Sequence, residues 1–155
     1  MRRSFVHSGI SLPALTLAAG AIAQTGEVSF QTLPVPANLN ISERHSNAVI
    51  RSARDWNVWL NNLPNDVEDL PTVDFERYTL LVSNAGYKTN GPYDVKFDSV
   101  TDTGDIVRVH VSVSGPVSCP AEPQAAHYVA MALIPRTAKP IQFDVSTVSS
   151  TCRAR

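Results

Sequence analysis

The spacing of apolar residues changes from helical to alternating near residue 78 of this 155-residue chain. Before that point, four apolar residues at i, i+3, i+4 and i+7 define one helical face: Trp56, Trp59, Leu60 and Leu63. Ser52 precedes them as an N-cap residue, with Asp55 three positions later, which is similar to a capping box. Pro64 follows the face and stops a helix. The pattern therefore predicts one short helix beginning after Ser52.

From Tyr78 onward the pattern is typical of strands. The largely apolar stretch 78–82 predicts a strand buried on both faces, and His127–Ile134 predicts another. Three alternating stretches predict one-sided strands, and their apolar positions are Tyr93, Val95 and Phe97; Val107, Val109, Val111 and Val113; Ile141, Phe143 and Val145. The turn residues 102–105 join two of these strands into a hairpin.

Upstream of the helix the pattern is weaker. Residues 47–51 predict a short strand, and 28–30 predict an edge strand within an irregular N-terminal part, 24–46. The fold class that we expect is α+β, mostly antiparallel β, barrel-like or a two-layer sandwich, with one packed helix. Residues 24–155 form a single domain in this interpretation.

The N-terminal segment predicts export. Arg2 and Arg3 precede an uncharged apolar stretch, 10–23, that ends in Ala-Ile-Ala, so residues 1–23 are interpreted as a signal peptide cleaved before Gln24. The paired arginines leave both the general secretory route and the twin-arginine route open. We expect a periplasmic or extracellular protein whose mature chain does not insert in a membrane, because no later apolar stretch approaches the roughly 20 residues of a membrane span.

The two cysteines are consistent with an oxidising compartment. Cys119 and Cys152 are predicted to form a disulfide. The bond would close a loop of about 34 residues, for which the chain-entropy model gives roughly 3–4 kcal/mol of stabilisation. Two free thiols are the alternative.

Composition and motifs indicate a protein that catalyses nothing. The net charge of −1 argues against nucleic-acid binding, and no known nucleophile, metal or phosphate motif is present. His127 near Cys119 could form a nucleophile pair, but the disulfide is the favoured role for that thiol. The scattered histidines and the acidic stretch 66–76 give no metal or cofactor site, and a solvated loop explains the acidic stretch better.

Several short motifs resemble the C-terminal domain of PrcB-like proteins, a family named for a subunit that stabilises an extracellular protease complex. They are Val49-Ile50-Arg51, Asp55-Trp56-x-x-Trp59, Val73-Asp74-Phe75 and the segment 86–93. The loop 115–119, followed by 126–129 and 134–135, also resembles the family's final strand pair. Pro92 stands where the family's turn motif has a second glycine. The resemblance covers roughly residues 27–150 and implies a secreted, non-catalytic domain.

Two loops are candidate contact surfaces, with plain turn chemistry as the alternative for each. The loop 84–93 combines tyrosines with adaptable polar groups, and its candidate partner-binding residues are Tyr87, Lys88, Thr89, Asn90 and Tyr93. The loop 114–124 contains three prolines and Cys119. We expect an accessory domain that binds a protein, as the family resemblance implies, with a secreted protease as one possible partner. The alternative is a periplasmic small-molecule or glycan binder using Tyr87, Tyr93 and the tryptophans, although the helical spacing favours core packing for the tryptophans.

Overall fold

The computed structural model describes residues 25–64, 66–89, 93–116 and 126–150. The predicted signal peptide, Asn90 and both cysteines lie outside the described residues, so those predictions stay open. One helix and eight strands follow each other along the chain: β1 (Gly26–Glu27), β2 (Gln31–Leu33), β3 (Ser46–Ile50), α1 (Ala53–Asn61), β4 (Tyr78–Lys88), β5 (Asp94–Asp102), β6 (Val107–Pro116), β7 (Ala126–Pro135) and β8 (Ile141–Ser150).

The strands form two open four-stranded sheets. The first sheet has the order β1-β5-β6-β8 and the second the order β2-β7-β4-β3. All pairings are antiparallel except that of β6 with β8, which is parallel. The predicted fold class, a mostly antiparallel sandwich with one helix, is confirmed.

The alternating valines of β6 build the core between the sheets. Val107, Val109, Val111 and Val113 are all buried, because every second side chain of a strand points to the same face. They pack with buried residues of β4, β5 and β7, including Leu81, Phe97 and Ile134. The hairpin predicted at 102–105 is present, and Asp102 Oδ1 accepts the Gly104 N–H at 2.8 Å.

The helix covers the other face of the second sheet. Ser52 Oγ accepts the Asp55 N–H at 3.0 Å, as the predicted N-cap requires. Trp56 is buried with Leu80, Met131 and other sheet residues, while Trp59 packs at the margin of this cluster. β4 is therefore buried on both faces from Thr79 to Gly86, as expected for 78–82. Among the helices of the described ranges, none is long and apolar enough to cross a membrane.

Two strand predictions need correction. Residues 28–30 form no strand; they connect β1 in the first sheet to β2 in the second, and Val28 and Phe30 pack against the core between the sheets. A connection that crosses between sheets can show the same alternating pattern as a strand. The last strand forms as predicted, but Val145 is 38% exposed and β8 contacts the sandwich mainly through β6.

Candidate partner-binding site

The predicted loop at 84–93 is in part a strand. β4 continues through Lys88, with Tyr87 opposite His127 and Lys88 opposite Ala126. Between the pairs Asn84–Val129 and Tyr87–His127, β4 advances three residues and β7 only two. This β-bulge changes the face to which the following side chains point.

The bulge directs Tyr87 to the helix-side face of the second sheet. On β7, Val129 and Met131 belong to the helix-side core, whereas Tyr128 and Ala130 pack between the sheets. His127 shares the alternation of Val129, so it and Tyr87 lie on the helix-side face. Without the extra residue, Tyr87 would follow Leu81 and point between the sheets.

The bulge is held by a loop that lies across it. The buried side chain of Asn84 donates to the carbonyl oxygens of Ser42 and Arg44, each at 3.1 Å, and its Oδ1 accepts the Gly86 N–H at 3.0 Å. The Tyr87 N–H donates to the Glu43 carbonyl at 3.2 Å. Gly86 has a φ of +81°, a backbone conformation that residues with a Cβ atom rarely adopt. These contacts set the position of Tyr87 independently of any partner.

Tyr87 forms an exposed aromatic pair with His127. The tyrosine side chain is 40% exposed, and the two ring centroids are 5.2 Å apart, with an angle of 50° between the ring planes. His127 Nδ1 is buried and has no hydrogen-bond partner within the described residues. Sequence reasoning missed His127 as part of this surface, because only the cross-strand register places it there.

Lys88 and Tyr93 lie on the opposite side of the same sheet. Lys88 Nζ is 5.5 Å from the centroid of the Tyr93 ring, within the range of a cation–π contact. Tyr93 in turn packs against Tyr128, with centroids 5.5 Å apart. The Tyr93 ring lies so close to Gly115 that a Cβ there would overlap it. Because of this packing, Tyr93 is largely a core residue at this end of the sandwich.

The structure thus separates the five predicted contact residues. Tyr87 is presented on the helix-side face and Thr89 is exposed just beyond it, whereas Lys88 and Tyr93 belong to the cluster between the sheets. Asn90 is outside the described residues. We call Tyr87, Thr89 and His127 the β4 tip.

The tryptophans are not part of this surface. Trp56 is only 9% exposed, and Trp59 stacks on it with ring centroids 5.2 Å apart. The predicted core role of the pair is confirmed for Trp56. His110 is exposed on the outer face of β6. The described part of the chain contains no group of three or more histidine, cysteine or acidic side chains that could hold a metal ion.

A cavity of about 640 Å³ lies at the other end of the sandwich. Val28, Val107 and Ile134 contribute apolar lining, and Asp102 and Lys139 contribute charge. Lys139 Nζ donates to both Asp102 carboxylate oxygens, at 2.8 and 2.6 Å. The hydrogen bond from Lys139, followed by that from the Gly104 N–H, lowers the pKa of Asp102. No sequence pattern predicted this cavity, because its lining comes from segments that are distant in the chain.

Comparisons of this chain with known proteins found no matching family model, no matching curated protein and no matching solved structure. The likeness to PrcB-like proteins therefore rests on the short motifs alone.

Proposed function

We propose that the protein is an exported, non-catalytic binding module that engages another protein through the β4 tip. The observation that carries the proposal is the bulge at Asn84–Tyr87, which turns an aromatic side chain out of the core and holds it 40% exposed. Bulges are frequent where a strand has to re-aim a side chain next to a functional site.

The chemistry of the β4 tip suits protein recognition. Tyrosine offers a large apolar ring together with a hydroxyl, and such residues are frequent at the energetic centres of interfaces. The hydrogen bonds from Asn84 and Tyr87 to the 42–44 loop order the surface in advance. A preordered surface loses less conformational entropy when a partner binds.

The family resemblance supports an accessory or stabilising role, with a secreted protease as a candidate partner. Such a role agrees with the predicted signal peptide.

N-terminal sequencing of the mature protein should start at Gln24, and mass spectrometry without reduction should find Cys119 bonded to Cys152. Replacing both Arg2 and Arg3 with lysine should stop export if the protein uses the twin-arginine route, and should leave export intact if it uses the general secretory route. A mature chain that retains residues 1–23 would contradict the signal peptide. Two alkylatable thiols would contradict the disulfide.

The binding proposal is tested by affinity capture from the periplasm or the culture medium, followed by alanine variants. Tyr87→Ala and Thr89→Ala should weaken capture of a stoichiometric partner. The matched control is Val58→Ala, because Val58 is 54% exposed on α1, away from the strand end. Equal capture by all three variants would place the contact elsewhere.

A small-molecule function is the second candidate, and the cavity beside the Asp102–Lys139 pair is the observation that favours it. Its volume of about 640 Å³ is within the range of ligand sites. A glycan site built from Tyr87, Tyr93 and the tryptophans has less support, because Trp56 is buried and the two tyrosines occupy different faces of the sheet. Saturable binding of a small molecule, abolished by Lys139→Ala and unaffected by Tyr87→Ala, would favour this candidate over the first.

A further inference from the structure

Within the described residues, the outer edge of β8 is long, regular and unpaired. The strand pairs with β6 without interruption from Val107–Ile141 to Pro116–Ser150, and no other described strand adjoins its second edge. Its ten residues exceed the usual strand length of about five or six. Val145 and Val148 are 38% and 49% exposed. The unpaired main-chain groups of such an edge are complementary to another extended strand.

Among the edge strands of the two sheets in the described residues, β8 is by far the longest. β2 has three residues and β3 has five. β5 is covered by β1 at one end and has a charged exposed face for the rest, formed by Asp94, Lys96 and Asp98. Short strands and charges are common devices against edge-to-edge association. In contrast, 141–150 contains no lysine, arginine or proline, and its one charged side chain is Asp144, which Arg108 contacts at 3.3 Å.

We propose that β8 pairs with β8 of a second copy of this chain, in an antiparallel arrangement about a twofold axis. Centring the axis on Val145 would place the two Val145 residues opposite each other and Asp144 opposite Ser146. This register brings the two exposed Val145 side chains together and keeps the two Asp144 carboxylates from facing each other, as they would in a register centred on Asp144. Because each copy contributes the same edge, the assembly closes as a dimer, joining two four-stranded sheets into one.

Light scattering coupled to size-exclusion chromatography tests the dimer on the full chain as it is purified. The wild type should show twice the monomer mass, and Val145→Lys and Val148→Lys should reduce it to the monomer mass because they place charge on the edge. Val58→Lys makes the same change on an exposed helix position and should stay dimeric. Circular dichroism should show native strand content in each variant; if Val145→Lys unfolds, Val148→Lys carries the test.

Cross-linking tests the register. Val145→Cys should give a covalent dimer on non-reducing gels, because opposite Cβ atoms in an antiparallel pair lie about 4.5–5.5 Å apart. Val58→Cys should not. A wild type that stays monomeric at the highest attainable concentration, or a dimer unaffected by both lysine variants, would overturn the proposal. A dimer without the Val145→Cys cross-link would overturn the register. Loss of partner capture in Tyr87→Ala is a separate readout, since the β4 tip is on the other sheet.

Discussion

Replacing Gly86 with alanine tests whether the β4 bulge is held by the loop that crosses it. A Cβ at Gly86 would lie 2.7 Å from the Glu43 carbonyl oxygen and 2.9 Å from the Arg44 carbonyl carbon. Both are backbone atoms, so a rotamer change cannot relieve the overlap. We expect the loop to withdraw or the bulge to change conformation.

The magnitude follows from two contributions. Adopting a positive φ costs an alanine about 1–2 kcal/mol. If the loop withdraws, one or two of the hydrogen bonds to Glu43 and Arg44 are lost, each worth about 1 kcal/mol. Gly86→Ala should therefore lower the free energy of unfolding by about 2–4 kcal/mol.

Gly104→Ala is the matched control. Gly104 has φ +99°, but the nearest atom to its Cβ position is a side-chain carbon of Thr25, at 3.6 Å. Gly104→Ala should therefore lower the free energy of unfolding only by the cost of the positive φ, about 1–2 kcal/mol. Urea denaturation followed by circular dichroism measures both variants. Equal destabilisation of the two would refute the argument that the 43–45 backbone holds the bulge.

Two further predictions concern the core and the charged pair. Trp56→Ala should lower the free energy of unfolding by about 3–5 kcal/mol in denaturant titrations, whereas Val58→Ala on the exposed face of α1 should change it by at most about 0.5 kcal/mol; similar values for both would contradict the packing of Trp56. Asp102→Asn should lower the melting temperature at neutral pH. Because the pKa of Asp102 is lowered in the folded protein, its contribution is present above the ordinary value of 3.8 and is lost as the pH falls through the folded value. The melting temperatures of variant and wild type should therefore converge in acid, and a difference that persists there would exclude the Lys139 pair as its cause.

The contact residues were only partly predictable. Tyrosines beside glycines pointed to the right segment, but the five predicted residues divide between two faces of the sheet. Gly86 was the available signal, since a glycine within a strand pattern indicates a bulge or a close backbone approach. The 42–45 loop that packs against Gly86 is some 40 residues away in the chain. The residues around Gly86 do not predict which segment makes this contact.

The sequence by itself determined the local elements. The Ser52 cap and the apolar spacing from Trp56 suffice to predict α1, because they act within a few turns of backbone. The helix ends at Asn61, three residues before the stop predicted at Pro64. The alternating valines 107–113 likewise determine which face of β6 is buried, since strand side chains alternate wherever the strand is placed.

Only the tertiary structure decided how the strands pair. After β6 the chain leaves the first sheet and forms β7 in the second sheet. It then returns to the first sheet, where β8 lies beside β6. Each connection reverses the chain direction, so two of them restore it, and β8 runs parallel to β6. The alternation of Ile141, Phe143 and Val145 would be the same in either direction. Strand direction, the open edge of β8 and the face that presents Tyr87 all depend on contacts between segments distant in the chain, which periodicity along one segment does not encode.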